Sequence, residues 1–496
     1  MPTSADPPPY PGPVLDLLAA AGDRAVFEHG ARRVGGARLL SLVHRIAAGL
    51  RAAGVGPGSG VAMMVGVTPE AFAAILAAHV VGARVAGVRP GLAGDHLRDI
   101  LRRDVDVVVT DAAAPPAAPR VLTVDALLAA PDGAGPPPLA ARPGDVARLI
   151  YTSGSTGRPK ACAQTYAALS AAWTARPDAW PPVIRDLATR LDRHLVFGSL
   201  SSQVMMEYGV LALAAGGTMV VPDSPALPDA LVRHRASSSV ITVARLRRLV
   251  AGQRRAPVDL SGLRALMVSG SPIDAGALRE ARDVLGPVVF HGYGQTETGM
   301  ISMAGPSDVS GSVGHPPDAV DVVVRGPDGA PVPAGVDGEL FVRTPAQAIG
   351  YWADPAETAE VFTDGWVRTR DLGHLDADGR LYLTGRTRDV IIVNANLYYA
   401  GPIERVLAGH PDVAEAYVVA APDEATGEAA HAFVVPADGR APDLDALRGL
   451  VAAQVGQECA PATITIIDAV PLAASGKPDK GALAAGAARS PGRAGP

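Results

Sequence analysis

The chain has almost no cysteine. Two thiols, Cys162 and Cys459, stand among 496 residues. That is too few for a disulfide framework, and a reducing compartment is the simplest home, so a cytoplasmic location is expected. Basic charge is not in excess: 44 Lys and Arg against 50 Asp and Glu leave a net charge of −6, which gives no electrostatic footprint for nucleic acid. No uninterrupted apolar run is long enough to span a bilayer. The first 13 residues are proline-rich without an apolar signal core. There is no internal repeat, and the G-x-x-x-x-G-K-[ST] spacing of a Walker loop is missing. What remains, 48% hydrophobic and 19% charged residues, is ordinary for a soluble globular protein with room for more than one domain.

What is present is an alternation of strand and helix. Leu39, Leu40, Val43, Ile46, Ala47 and Leu50 fall at helical spacing, and Gly54 closes that helix. Residues 61–65 read as a buried strand. Thr68-Pro69-Glu70 opens a helix that runs to Gly82: Thr caps, Pro takes the first helical position, and Glu meets the positive end. A helix at 96–103 precedes a strand at 105–110. Pro/Ala/Gly-rich runs at 112–119 and 131–143 read as surface loops. The alternation resumes with strands at 195–198, 218–221, 239–243, 265–268 and 288–290. Helices are expected at 204–214, 229–235, 244–250 and 275–285. Such alternation builds parallel sheet through right-handed crossovers. From about Asp321 short strands and Asp-Gly turns indicate a β-rich subdomain. After Gly385 the order strand, helix, strand, strand, helix, strand is that of a small α+β domain. The expected fold class is therefore α/β: parallel-type α/β sheets plus a β-rich subdomain, then a small α+β domain. The boundaries are a large domain at 14–384 and a small domain at 389–484, joined through residues 385–388. Residues 1–13 and 485–496 are expected to be disordered.

Five motifs carry chemistry. The first is Tyr151-Thr152-Ser153-Gly154-Ser155-Thr156-Gly157-Arg158-Pro159-Lys160. Read alone it is either a solvated Ser/Gly turn or a phosphate cradle, in which backbone N–H groups and hydroxyls converge on an anion and Lys160 adds a point charge. The second is His291-Gly292-Tyr293-Gly294-Gln295-Thr296-Glu297-Thr298, after a strand and so at the carboxyl edge where open α/β sheets bind ligands; a tight turn is the alternative. The third runs through Gly338-Glu339-Leu340-Phe341-Val342-Arg343 and Gly350-Tyr351-Trp352 to Asp364-Gly365-Trp366-Val367-Arg368-Thr369-Arg370-Asp371. The fourth is Gly385-Arg386-Thr387-Arg388-Asp389, and the fifth is Pro471-Leu472-Ala473-Ala474-Ser475-Gly476-Lys477.

In this order and spacing, from about residue 15 to 484, the motifs resemble those of the adenylate-forming superfamily: acyl- and aryl-CoA ligases, adenylation domains of peptide synthetases, and luciferases. The resemblance implies ATP and Mg²⁺ as cofactors. It implies ATP-dependent adenylation of a carboxylic acid, then transfer to a thiol of CoA or of a phosphopantetheine carrier protein. Lys160 and the 152–157 loop would hold the leaving pyrophosphate. Tyr293 would stack on adenine, Thr296 would contact the α-phosphate, and Glu297 would ligate Mg²⁺. Asp371 would take both ribose hydroxyls, and Arg386 would assist with ribose or phosphate. Gly270, Ser271, Gly292, Gly294 and Gln295 complete the nucleotide set. The small domain would be mobile about a hinge at 385–388, with Arg388 in the hinge position, and Lys477 would reach the acyl carboxylate and α-phosphate.

The departures from the family pattern are informative. The residue before Asp371 is usually Gly and here is Arg370. The segment after the hinge, Val393-Asn394-Ala395-Asn396-Leu397-Tyr398-Tyr399-Ala400-Gly401-Pro402-Ile403-Glu404, lacks the usual glycine, proline and first glutamate, and keeps only Glu404. Relatives use that loop to line the pantetheine tunnel. Either the change is neutral drift or the second step takes another acceptor, such as an amine, or the enzyme activates nitrite. A non-catalytic ATP-binding homologue is a further possibility, opposed by the retention of Lys160, Glu297, Asp371, Arg386 and Lys477. Residues 197–203 lack the Asp with which relatives pair an α-amino group, so an α-amino acid is not expected. Ser201, Ser202, Gln203, Met205, Met206, Ser269, Gly270, His291 and Ile301 are expected to line the acid pocket and to favour an aryl or polar acid.

Overall fold

Two mixed sheets joined by one hydrophobic core make up the large domain in this computed structural model. The structure describes residues 8–88, 94–112, 118, 120–129, 137–152, 160–270, 273, 275–308, 311–387, 389–393, 396–423, 426–437, 440–472 and 478–487. The first sheet orders its strands Gly299–Ala304, Val289–Gln295, Ala265–Ser269, Ser238–Thr242, Arg193–Leu195, Thr218–Val221, Ala25–His29 and Arg32–Gly35. Interior pairs are parallel and the two outermost pairs antiparallel. The second sheet runs Gly350–Tyr351, Lys160–Thr165, Val146–Thr152, Arg84–Gly87, Gly60–Met64, Val107–Thr110 and Val121–Thr123, with the last five strands parallel. All four residues of Val107–Thr110 are buried, as a strand covered on both faces requires.

The helix Pro69–Val80 is apolar almost all round, because core surrounds it. It starts where the sequence dictates: the Thr68 hydroxyl accepts from the Ala71 N–H at 3.0 Å, with Pro69 behind it. Phe72 packs on Phe27 with ring centroids 6.1 Å apart, in the same cluster as Met63 and Phe290.

The β-rich subdomain pairs Asp321–Arg325, Gly338–Arg343, Trp366–Leu375 and Phe362–Thr363, and Leu381–Arg386 pairs with Trp366–Leu375. The small domain is a sheet of Asn396–Tyr399, Val390–Val393, Gly427–Pro436, Val413–Asp423 and Thr463–Ile466. Helices Ala400–Ala408 and Leu444–Gln454 cover it through the fully buried Ile403, Leu407, Leu447 and Val451.

Parts of the two ends expected to be disordered, residues 8–13 and 485–487, are described and held in place. Tyr10 donates its N–H to the Ser170 hydroxyl at 2.8 Å and sets its ring edge on His79, and the helix Gly12–Ala21 begins inside the expected lead. The helix Lys480–Ala487 runs past residue 484, with Leu483 and Ala487 buried against Val419 and Ala421. Burial, which composition does not report, orders both segments.

Candidate active site

The centre of the site is a bulge. Strand Trp366–Leu375 pairs with Gly338–Arg343, and the register slips: Phe341 faces Arg368, yet Glu339 faces Leu372. Thr369 to Asp371 thus stand opposite the single residue Leu340, two more than the partner strand supplies, which makes a bulge on that side of the strand. Arg370 sits there at φ +60°, a left-handed conformation that costs a side-chain-bearing residue about 1–2 kcal/mol. Thr369 fixes the bulge, its hydroxyl donating to the Leu340 carbonyl at 2.7 Å and accepting the Asp371 N–H at 3.1 Å.

Asp371 is 4% exposed, so its charge depends on protein donors. Tyr293 Oη donates to Oδ2 at 2.7 Å and Gln295 Nε2 to the same oxygen at 2.6 Å, while Arg386 Nε donates to Oδ1 at 2.7 Å. Burial, and then the Asp371 charge, hold the Tyr293 phenol well above its ordinary pKa, so it stays a donor. The Asp371 charge likewise raises Arg386. Such a dehydrated carboxylate, oriented by these donors, can accept vicinal hydroxyls.

Tyr293 and Gln295 reach Asp371 because the strand Val289–Gln295 continues beyond its parallel neighbour as a hairpin with Gly299–Ala304. A Cβ at Gly294 would collide with the Gly299 carbonyl, and one at Gly292 would press on Met267 Sδ at 3.1 Å. Gly270, at φ +93°, turns the chain after Ala265–Ser269.

A second chain of contacts lies beside the first. Thr152 and Lys160 are paired across two antiparallel strands, and Ser153, Gly154, Ser155, Thr156 and Gly157 between them fall outside the described residues. Lys160 Nζ lies 2.7 Å from Glu357 Oε1 and 5.7 Å from the centre of the Tyr351 ring. Tyr351 Oη donates to Glu297 Oε1 at 2.6 Å. Burial, and then the Glu297 charge, push the Tyr351 phenol far up. Glu297 is also placed through its backbone, its carbonyl accepting the Ala348 N–H at 2.8 Å, and the Thr296 carbonyl accepts the Cys162 thiol at 3.6 Å. Glu357 Oε1 takes a second cation, Arg370 Nη1 at 2.8 Å, whose other nitrogen Nη2 meets Glu360 Oε2 at 2.8 Å. Burial works to raise the Glu357 carboxyl; Lys160 and Arg370 outweigh it and leave it below its ordinary value. Tyr351 and Glu357 were not singled out as site residues from sequence. The signal for Glu357 was local: Asp354-Pro355 is a helix start, and Asp354 caps the Glu357 N–H at 3.1 Å.

Among the described residues no three His, Cys, Asp or Glu side chains converge on a metal position. A single carboxylate, Glu297, still fits Mg²⁺, which takes most of its ligands from phosphate and water.

The residues expected to line the acid pocket are placed as follows. Ser201 packs on Gly87 and directs its hydroxyl to the Met63 carbonyl at 3.4 Å. Ser202 precedes the helix Gln203–Ala214 without a side-chain capping bond, and Met205 and Met206 on that helix are buried. Gln203 Nε2 donates to Glu207 Oε1 at 3.0 Å, and Glu207 pairs with Arg148 at 3.0 Å. Gln203, Glu207, Arg148, Gln164 and Met300 line one cleft. Ser269 ends its strand, half-buried. Two expected residues do not join this group. His291 lines a separate cleft with Arg282 and Asp308, because strand alternation sends it to the face opposite Gly292. Ile301 follows the register shift at Tyr293 and Gly294 and turns into the cluster of Tyr293, Val313 and Leu340, leaving Met300 at the cleft. Ser271, Arg388 and Lys477 lie outside the described residues. Lys480, three positions beyond Lys477, pairs with Asp389 and with Glu404 Oε1, the latter at 2.8 Å.

With this geometry in hand, comparison with known proteins gives one answer. The AMP-binding enzyme family model matches residues 18–352, and that of the AMP-binding enzyme C-terminal domain matches residues 402–477. The chain is 34% identical over 469 residues to a feruloyl-CoA synthase of an Amycolatopsis species, covering 91% of this chain and 94% of the relative. It is 31% identical over 479 residues to an indoleacetate–CoA ligase of Aromatoleum aromaticum, covering 89% and 91%. The solved amide bond synthetase McbA of Marinactinospora thermotolerans superposes with a TM-score of 0.83 at 32% identity, covering 96% and 99%. The chain belongs to the AMP-binding enzyme family. It is an AMP-forming acid–thiol ligase: ATP adenylates a carboxylic acid, and the acyl group then passes to a thiol.

Proposed function

We propose that the acid is an aryl or otherwise polar carboxylate, not an α-amino acid, and that the thiol is that of CoA or of a carrier-protein pantetheine. One observation carries the site assignment: a buried, three-donor carboxylate at Asp371 stands beside the chain Glu357, Lys160, Tyr351, Glu297. In this reading the ribose hydroxyls meet Asp371, with Arg386 alongside and Tyr293 against the adenine. Thr296, Gly292, Gly294, Gln295, Gly270 and Ser271 surround the nucleotide. Lys160 and the 152–157 segment hold the pyrophosphate. Glu297 is the residue that would hold Mg²⁺, which supplies charge neutralisation on phosphate oxygens when bound.

An oxygen of the acid attacks the α-phosphorus, the bond to the β-phosphate oxygen breaks, and pyrophosphate leaves. Negative charge crowds at that phosphorus, so Lys477 stabilises the transition state more than the ground state. Residues 385–388, with Arg388 among them, are the proposed hinge on which the small domain, 389–484, turns. The thiol sulfur then attacks the acyl carbonyl and AMP leaves. The polar cleft of Gln203, Arg148 and Gln164 beside Met300 supports a polar or aromatic acid, as do the feruloyl and indoleacetate ligases among the relatives. A cytoplasmic setting suits the two free, buried thiols Cys162 and Cys459, and no helix among the described residues is long and apolar enough to cross a membrane.

A second reading, transfer to an amine, is favoured by the likeness to an amide bond synthetase and by the altered segment 393–404. ATP–pyrophosphate exchange against a panel of carboxylic acids, with nitrite as a separate sample, tests the first step. Exchange with aryl acids is expected, and exchange with nitrite or α-amino acids alone would overturn the reading. Supplying CoA, a carrier protein or an amine to the responsive acid then separates the acceptors by product mass.

A further inference from the structure

Arg370 stands where the resemblance expects glycine, in a backbone conformation that suits glycine, and its side chain is committed to the phosphate-lysine network. Glu357 Oε1 accepts from two cations at once, Lys160 at 2.7 Å and Arg370 at 2.8 Å. All three side chains are largely buried, with exposures of 11%, 15% and 16% for Lys160, Arg370 and Glu357. One carboxylate oxygen divided between two donors holds each less tightly than it would hold either alone. Without Arg370, a larger share of the Glu357 charge would fall on Lys160 in a poorly hydrated setting, and the ammonium would have to leave a tighter partner to meet pyrophosphate oxygens. With Arg370 present, Glu357 keeps a charged donor when Lys160 turns away, so no uncompensated carboxylate is left behind.

The backbone of Arg370 supports the same role. Its carbonyl accepts from the Thr387 N–H at 2.9 Å and from the Thr387 hydroxyl at 3.2 Å, and its neighbour is Asp371. Its second guanidinium nitrogen is anchored on Glu360 at 2.8 Å, which fixes the side chain independently of Lys160.

We propose that Arg370 is a positioning residue for adenylation: by sharing Glu357 it leaves Lys160 available to the leaving pyrophosphate. The proposal rests on Lys160 binding the pyrophosphate as set out above. Arg370→Gly is the informative variant, because glycine accepts φ +60° without strain. Arg370→Gly is expected to lower the exchange rate about tenfold, the effect of losing one charge-assisted hydrogen bond of roughly 1.4 kcal/mol. The KM for the acid should be unchanged. Adding Glu357→Gln to Arg370→Gly should recover most of the rate, since a neutral amide no longer retains Lys160; Arg370→Lys should be intermediate. Exchange by Arg370→Gly within twofold of wild type, or a double variant no faster than Arg370→Gly, would overturn the proposal while leaving the adenylation reading intact. A wild-type enzyme without exchange on any acid would overturn both.

Discussion

The Tyr293 hydroxyl and the Asp371 carboxylate meet at 2.7 Å although 78 residues separate them. The contact ties the hairpin at the edge of the first sheet to the bulged strand of the β-rich subdomain.

Tyr293→Phe removes one of the donors to Asp371 and leaves the ring in place. ATP affinity should fall about tenfold, which is the loss of one charge-assisted hydrogen bond. The midpoint of thermal unfolding should move by a few degrees at most. Calorimetric titration with ATP checks the first part and a melt the second; an unchanged affinity would separate Tyr293 from the nucleotide site.

Gly294→Ala tests the hairpin itself. The added methyl collides with the Gly299 carbonyl, which is backbone and cannot rotate aside. Overpacking of this kind costs about 1–3 kcal/mol, and the displaced strand carries Tyr293 and Gln295 away from Asp371. Stability and exchange activity should fall together.

Acid should destabilise the large domain before its carboxylates titrate. His79, buried between Tyr10 and Tyr166, has its pKa pushed down to about 3, first by burial and then by Arg148. Burial lowers His194, which bonds the Ser238 hydroxyl at 3.1 Å, to about 4. The unfolded chain takes up these protons near pH 6.5 and the folded chain does not. Each histidine therefore contributes stability above that pH, and its share declines by about 1.4 kcal/mol per pH unit as pH falls toward its folded value, about 3 for His79 and about 4 for His194. The melting midpoint should drop between pH 7 and pH 5, and His79→Leu should flatten part of the slope. A midpoint independent of pH over that range would contradict the burial of both rings.

The C-terminal segment yields a paired test. Lys477→Ala should abolish exchange and keep most of the ATP affinity. Lys480→Met, which removes the contacts to Asp389 and Glu404, should destabilise the small domain by about 1–2 kcal/mol, a value reduced by partial exposure. It should slow exchange less than Lys477→Ala does. Equal effects of the two variants would assign Lys477 a structural part only.

Local signals were enough for much of this molecule. Thr68-Pro69 starts a helix for reasons contained in three residues, and the motif order from Lys160 to Asp371 carried the family. The bulge was not legible, because a register slip depends on the partner strand: Glu339 and Phe341 set it, and neither differs from an ordinary strand residue. The same kind of slip decides where Ile301 points, since it changes face when the hairpin shifts at Tyr293. The tie between Lys160 and Glu357 spans most of the large domain and joins a strand to a short helix, so no sequence window contains it. Arg370 showed itself in sequence only as an anomaly beside Asp371; its meaning needed Glu357 and Glu360 in space.

The two bonds from Thr387 to the Arg370 carbonyl act as an abutment. If the small domain turns on the proposed hinge at 385–388, these bonds would shield the bulge from that torque. Across the interface, Arg405 grips the Thr384 carbonyl at 2.9 Å and Arg247 grips the Ala414 carbonyl at 2.6 Å, and each such grip is worth only about 1–3 kcal/mol. A latch of that strength opens on thermal energy, which would let reorientation run on the microsecond-to-millisecond scale of domain motions while the nucleotide end stays still.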